Sequence, residues 1–192
     1  MSKQFDAIFL DRDGTISHDP YGYINSLSDY HFFDYAFEAL EVFSKYTDKF
    51  IIVTNQSGLA SGKIDIENLE EINSFIYKEF EKRNLPLKKI YFSENYDEGY
   101  DSMRKPGIGM FVKAKEDFNI NLSKSLMIGD SIVDMQVGDR LDMKTIFLLT
   151  GMGKDYLDEV KSTCQADPIS NNLLEACLLY TSEAADDTPC VD

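Results

Sequence analysis

Two aspartates two residues apart, Asp11 and Asp13, follow directly on the apolar run Ala7-Ile8-Phe9-Leu10. A buried strand that ends in two carboxylates is either a polar turn punctuated by Gly14 or the start of a reactive site. Residues i and i+2 of an extended segment point to the same side, so both carboxylates can face one ligand. Polar ends of this kind recur. The run Phe50–Val53 ends in Thr54-Asn55-Gln56-Ser57-Gly58. The run Ser125–Ile128 ends in Gly129-Asp130-Ser131, with Asp134 four residues after Asp130. Asp130 could also cap the helix that follows it. Between these ends lies Met103-Arg104-Lys105-Pro106-Gly107, where Pro106 suits the first turn of a helix.

The chemistry that these residue types fit is phosphoryl transfer through an aspartyl-phosphate. Asp11 is the expected nucleophile. Asp13, as general acid and base, would protonate the leaving oxygen and then take a proton from the attacking water. A carboxylate cannot approach a phosphate dianion unaided. Mg²⁺ held by Asp11, Asp130 and the backbone carbonyl of Asp13 would remove that repulsion, and Mg²⁺ favours sites with one or two carboxylates. Thr54, Lys105 and backbone amides would hold the equatorial oxygens as charge spreads in the transition state.

These ends matter only if a fold brings them together. Five short apolar runs, Ala7–Leu10, Phe50–Val53, Ile90–Phe92, Ser125–Ile128 and Thr145–Leu149, are continuous rather than alternating, as in strands covered on both faces. Helical stripes separate them: Phe37, Leu40 and Phe43; then Leu69, Ile72, Phe75, Ile76 and Phe80, with Asp65 placed to cap; then Met110, Phe111, Ala114 and Phe118; then Val133 and Val137. The alternation predicts an α/β chain, a Rossmann-like doubly wound parallel sheet flanked by helices, in one domain. Ligands of such sheets bind beyond the carboxyl ends of the strands, where every residue named above would stand. Thr150-Gly151-Met152-Gly153-Lys154 is too short for a phosphate-binding P-loop and reads as a loop after the fifth strand, bordering the pocket at most.

Composition narrows the partners. The chain has 192 residues, 43% of them hydrophobic, and a formal charge of −15. That acidity argues against nucleic acid or an anionic membrane as a partner. No run approaches the roughly 18 apolar residues of a membrane span. Three cysteines without metal-ligand spacing, and no signal peptide, predict a reduced, cytoplasmic protein, expected to be a monomer. The segment from Cys177 onwards resembles the in-frame translation of a transposon adapter. The expected division is therefore a single catalytic domain over 1–176 and a non-native tail over 177–192.

The four polar segments together resemble the haloacid-dehalogenase-like (HAD-like) phosphohydrolase superfamily. Asp11-Arg12-Asp13-Gly14-Thr15 is similar to its first motif, Thr54-Asn55 to its second, Lys105 to its third, and Gly129-Asp130 with Asp134 to its fourth. Within it, Phe9-Leu10-Asp11-Arg12-Asp13-Gly14-Thr15, Val53-Thr54-Asn55-Gln56-Ser57-Gly58, Gly62-Lys63 and Arg104-Lys105-Pro106 resemble the D-glycero-D-manno-heptose 1,7-bisphosphate phosphatases and their relatives, the histidinol-phosphatases. The resemblance implies a capless, Mg²⁺-dependent phosphatase of a small phosphosugar. It implies substrate contacts from Asp19, Tyr21 and Tyr23, from Asn55, Gln56 and Ser57, and from Ser131, with Arg104 on the sugar's second phosphate. With no cap, the Asp19–Tyr30 flap must exclude water. Many relatives carry a zinc-binding loop of Cys and His before Arg-Lys-Pro. Here Phe92–Met103 contains neither, so no structural zinc is expected.

Rival readings remain at this level. Histidinol phosphate or another small metabolite is an alternative substrate. A mutase would need a lid against water. A dehalogenase would not need Asp13. A phosphoacceptor signalling domain shares the doubly wound sheet but places its acceptor Asp later and its Lys near the end.

Overall fold

The computed structural model describes residues 3–20, 22–166 and 168–186. Six parallel strands form one sheet: β1 (Ile8–Leu10), β2 (Phe50–Asn55), β3 (Leu87–Ser93), β4 (Leu126–Gly129), β5 (Lys144–Leu148) and β6 (Ile169–Ser170). Their spatial order is β3-β2-β1-β4-β5-β6. β1 pairs with β2 on one side (Leu10 beside Ile52) and with β4 on the other (Leu10 beside Ile128). The winding therefore reverses at β1, and a crevice opens beyond its carboxyl end.

Six helices flank the sheet: α1 (Ala36–Phe43), α2 (Ile66–Lys82), α3 (Gly109–Phe118), α4 (Ile132–Arg140), α5 (Gly153–Thr163) and α6 (Leu173–Asp186). They cover both faces, which is why β1, β2 and β4 read as continuous apolar runs. On one face Ile8, Leu10, Phe50 and Ile52 pack with Leu40, Ile72 and Phe80. On the other, Phe9, Ile51, Val53 and Met127 pack with Phe111 and Ala114. Asp65 caps α2 as its position predicts, accepting the Glu67 N–H at 3.0 Å.

Three expectations need correction. Pro106 does not open a helix; it sits in the turn before α3, whose first residue is Gly109. β6 is a sixth strand, only two residues long, too short to form an apolar run of its own. The stretch after β5 turns into α5 at Gly153, because Val160 supplies a buried anchor against Ile132, Met135 and Phe147. In the last helix Cys177 is buried against the main core, while Leu178 and Leu179 are exposed; residues 187–192 lie outside the described residues.

The Asp19–Tyr30 flap is pinned at its stem. Ser17 bridges Phe32 in antiparallel fashion, His18 N–H donates to the His31 carbonyl (2.9 Å) and Phe33 N–H to the Ile16 carbonyl (3.1 Å).

Candidate active site

Lys105 is the hub at the carboxyl end of the sheet. Its Nζ donates to the Val53 carbonyl (2.9 Å) and to Asp134 Oδ1 (2.6 Å), and pairs with Asp11 Oδ1 (2.9 Å). An ammonium has three protons, and these acceptors use all of them. Asn55, at the end of β2, fixes the Lys105 backbone. Its Oδ1 accepts the Lys105 N–H (2.9 Å) and its Nδ2 donates to the Lys105 carbonyl (3.0 Å). Asp134 Oδ2 accepts the Ser131 N–H (3.1 Å) at the start of α4. Ser131, rather than Asp130, is the N-cap. The Asp130 carboxylate points elsewhere: Oδ2 accepts the Met152 N–H (2.8 Å) and Oδ1 the Thr15 hydroxyl (3.4 Å).

One oxygen from each of Asp11, Asp130 and Asp134 lies within 4.8 Å of the others. Three carboxylates thus share one ammonium where water hardly reaches. Negative charge is in excess, and buried charge without a partner is costly. Burial pushes the Asp11 carboxyl up to about 7; the Lys105 charge opposes this and the Asp134 charge adds to it. Burial, then the charges of Asp11 and Asp134, also hold Asp130 well above the usual carboxylate range. For Lys105, burial works against the charged form, but Asp11 and Asp134 outweigh it and keep the ammonium charged. A hard divalent cation would supply the missing positive charge, and an all-oxygen donor set suits Mg²⁺. Lys105 and the Ser131 N–H hold the two Asp134 oxygens, and Asp134 is fully buried.

The loop after β5 completes this corner. Gly14 (φ 83°) and Gly151 (φ 48°) both adopt left-handed backbone, and a Cβ on either would run into the Asp130 carboxylate. Thr150 Oγ1 donates to the Gly14 carbonyl (2.6 Å), tying the loop to the turn after β1. Gly151→Ala is therefore expected to displace Asp130. It should raise the Mg²⁺ concentration for half-maximal activity by roughly tenfold or more, the usual penalty for disturbing a ligand's support. A metal titration of activity measures this directly; an unchanged half-point would show that Asp130 does not need this cradle.

Asp13 is held differently. Arg12, fully buried, forks onto it: Nε donates to Oδ1 (3.0 Å) and Nη2 to Oδ2 (2.8 Å). Gln56 Nε2 donates to Oδ2 (3.0 Å) and the Ser17 hydroxyl to Oδ1 (3.3 Å). The guanidinium also stands 5.6 Å over the Tyr30 ring. The same Gln56 Nε2 donates to Thr54 Oγ1 (2.8 Å), which leaves the Thr54 proton free for a ligand. Asp13 opens into a cavity of about 520 Å³, within the range of small-molecule sites. Asp19, Tyr23, Asn55, Gln56, Ser57 and Arg104 line it.

Comparison with known proteins agrees with this geometry. A family model described as HAD-hydrolase-like matches residues 102–176. The D-glycero-alpha-D-manno-heptose-1,7-bisphosphate 7-phosphatase of Campylobacter jejuni is 36% identical over 149 residues, covering 78% of this chain and 85% of that protein. The D-glycero-beta-D-manno-heptose-1,7-bisphosphate 7-phosphatase of Escherichia coli O6:H1 is 32% identical over 182 residues, covering 91% and 94%. The chain belongs to the heptose-bisphosphate phosphatase family of HAD-like hydrolases. Among solved structures, the D,D-heptose 1,7-bisphosphate phosphatase of B. bronchiseptica, complexed with magnesium and phosphate, shares its fold (TM-score 0.81, 21% identity, 93% of this chain and 99% of that one).

In this HAD-like phosphatase the sheet brings Asp11, Asp13, Thr54, Lys105, Asp130 and Asp134 to one edge. Of the substrate contacts expected from the resemblance, Asp19, Tyr23, Asn55, Gln56, Ser57 and Arg104 share the cavity. Ser131 stands instead at the head of α4, beside Asp130. Tyr21 lies outside the described residues. Sequence reasoning missed Arg12 and Ser17; of the stretch after β5, expected to border the pocket at most, Met152 does line it, while its hold on Asp130 was not foreseen. The signal for Arg12 was its place between two carboxylates, but buried arginine is rare enough that the position alone does not announce it. Among the described residues no helix is long and apolar enough to cross a membrane.

Proposed function

We propose that this phosphatase removes one phosphate from D-glycero-D-manno-heptose 1,7-bisphosphate, through an aspartyl-phosphate on Asp11, with Mg²⁺ as cofactor. The observation that supports this reading is the Asp11–Lys105–Asp130 cluster at the carboxyl end of the sheet, suited to one phosphate, with Arg104 in the wall of the adjoining cavity, suited to another. Mg²⁺, when bound by the Asp11 and Asp130 carboxylates and the Asp13 backbone carbonyl, supplies charge neutralisation for the incoming phosphate.

The residues then divide the chemistry. Lys105 and the Arg12 N–H, which donates to Asp11 Oδ1 at 2.8 Å, fix the orientation of the nucleophile. Asp11 attacks phosphorus as the bond to the sugar oxygen breaks, and Asp13 delivers a proton to that oxygen. Asp13 next takes a proton from water, whose oxygen attacks the phosphoryl group and releases Asp11. Arg12 and Gln56 keep the Asp13 carboxylate in place for both transfers. Thr54 donates its free proton to a phosphoryl oxygen. Asn55 acts through Lys105, whose backbone it holds at both ends.

Phosphate release from heptose 1,7-bisphosphate and from histidinol phosphate, each with Mg²⁺ and after its removal by chelation, tests this. Metal-dependent release from the bisphosphate, well above that from histidinol phosphate, is expected. Preference for histidinol phosphate would overturn the substrate, and metal-independent turnover would overturn the cofactor.

A further inference from the structure

Arg104 is the one cation among the described residues that line the catalytic cavity. Its Nη1 is shielded from water yet has no hydrogen-bond partner among the described residues. An unpaired guanidinium N–H in such a place has a vacancy for an anion. What aims it is the loop Glu94–Asp101. This loop has no Cys or His, and Ser102 holds its end. The buried Ser102 hydroxyl donates to the Asp97 carbonyl (2.7 Å) and accepts the Arg104 N–H (2.9 Å). Loop and Arg104 are thus fixed through one side chain.

From the same loop Tyr96 packs against Arg104. The Arg104 guanidinium carbon stands 5.6 Å from the Tyr96 ring centre. The side chains of Ser61, Tyr23 and Ser57 favour the ionised form of the Tyr96 hydroxyl. Tyr23 in turn carries Lys63, whose Nζ is 5.0 Å from its ring centre. Two tyrosines therefore hold two cations, one on each ring. A cation resting on an aromatic face keeps its charge while losing freedom, so less ordering is needed when an anion arrives. Both rings are substantially exposed, Tyr96 at 52% and Tyr23 at 43%.

We propose that Tyr96 is a specificity-determining positioning residue, which with Tyr23 sets Arg104 and Lys63 around the phosphate that is not hydrolysed. This rests on the bisphosphate reading above. It separates two groups of residues: Asp11, Asp13 and Lys105 govern turnover, and the tyrosine pair governs which substrate is preferred.

The test is a specificity ratio, kcat/KM for heptose 1,7-bisphosphate over kcat/KM for p-nitrophenyl phosphate, which has no second phosphate. Tyr96→Ala is expected to lower the ratio about tenfold, mostly through KM for the bisphosphate, as lost ground-state binding reads in kinetics. Tyr96→Phe keeps the ring under Arg104 and loses only the hydroxyl, and about threefold is expected. Lys63→Met should lower the same ratio. Tyr96 is exposed, so its variants should fold, and thermal melts confirm it. A wild-type preference for the bisphosphate that survives in Tyr96→Ala would overturn this inference alone. An equal loss on both substrates would overturn it too, by showing a general role in the fold. A wild type without preference for the bisphosphate would sink the substrate reading itself, and the inference with it.

Discussion

Asp11→Asn is expected to abolish turnover and, at the same time, to raise the melting temperature of the metal-free protein. The activity loss follows from the amide's inability to attack phosphorus; removal of a nucleophile typically costs on the order of 10⁴-fold or more. The stability gain follows from electrostatics. A carboxyl held at about 7 in the folded state, against 3.8 for a free aspartate, binds its proton more tightly when folded than when unfolded. Folding is then disfavoured progressively as pH rises from about 4 to about 7, and the penalty is complete above that. Asn carries no charge and escapes the penalty, while its oxygen can still accept from Lys105. In wild-type protein without metal, stability should therefore fall as pH rises across that window, and saturating Mg²⁺ should flatten the slope. Thermal melts between pH 4 and 8, with and without Mg²⁺, measure both effects. A metal-free Asp11→Asn that melts below wild type at pH 8 would mean that the Lys105–Asp11 attraction outweighs the cost of burial.

Lys105→Met should have the opposite effect on stability. Methionine matches the length of the stem but leaves Asp11 and Asp134 without the cation they share, and Asp134 is fully buried. Removing one partner of a buried charge cluster typically costs about 3–5 kcal/mol, a large part of a domain's stability. Turnover should fall with it, since Asp11 loses the contact that orients it. Because Asn55 grips the backbone of residue 105 rather than its side chain, the chain trace should persist, and the damage should be electrostatic. Low pH, which protonates the acids, should then restore part of the stability. Urea unfolding at pH 5 and pH 8 checks this. A loss below about 1 kcal/mol at pH 8 would place the cluster's stability in metal or solvent rather than in Lys105.

The parts of this site that were legible are those carried by strand ends. Asp11, Thr54 and Asp130 each follow a continuous apolar run, and a parallel sheet leaves no choice about where such residues go. Asp65 was legible as a cap because capping is local. What stayed hidden depends on contacts between distant segments. Thr150 and Met152 matter because they touch Gly14 and Asp130 from the far side of the sheet's switch point, and no spacing in the chain reports that. Arg12 contradicts the usual rule that arginine is exposed; the bidentate bond to Asp13 and the Tyr30 ring are what make its burial tolerable. Tyr96 lies in a stretch with no periodicity, where nothing distinguishes a rim residue from ordinary loop. β6 was missed for a simpler reason: two residues cannot show a pattern.

The central position of β1 has a consequence for how the chain matures. This three-residue strand is made early, yet one of its two neighbours, β4, begins only at Leu126. Until β4 is made, one flank of β1 is unpaired and Asp11 stands without Asp130 beside it. Pairings of such long sequence separation form late and slowly. A cation site that took one carboxylate from Asp11 and one from Asp130 would therefore be assembled only once β1 and β4 have paired.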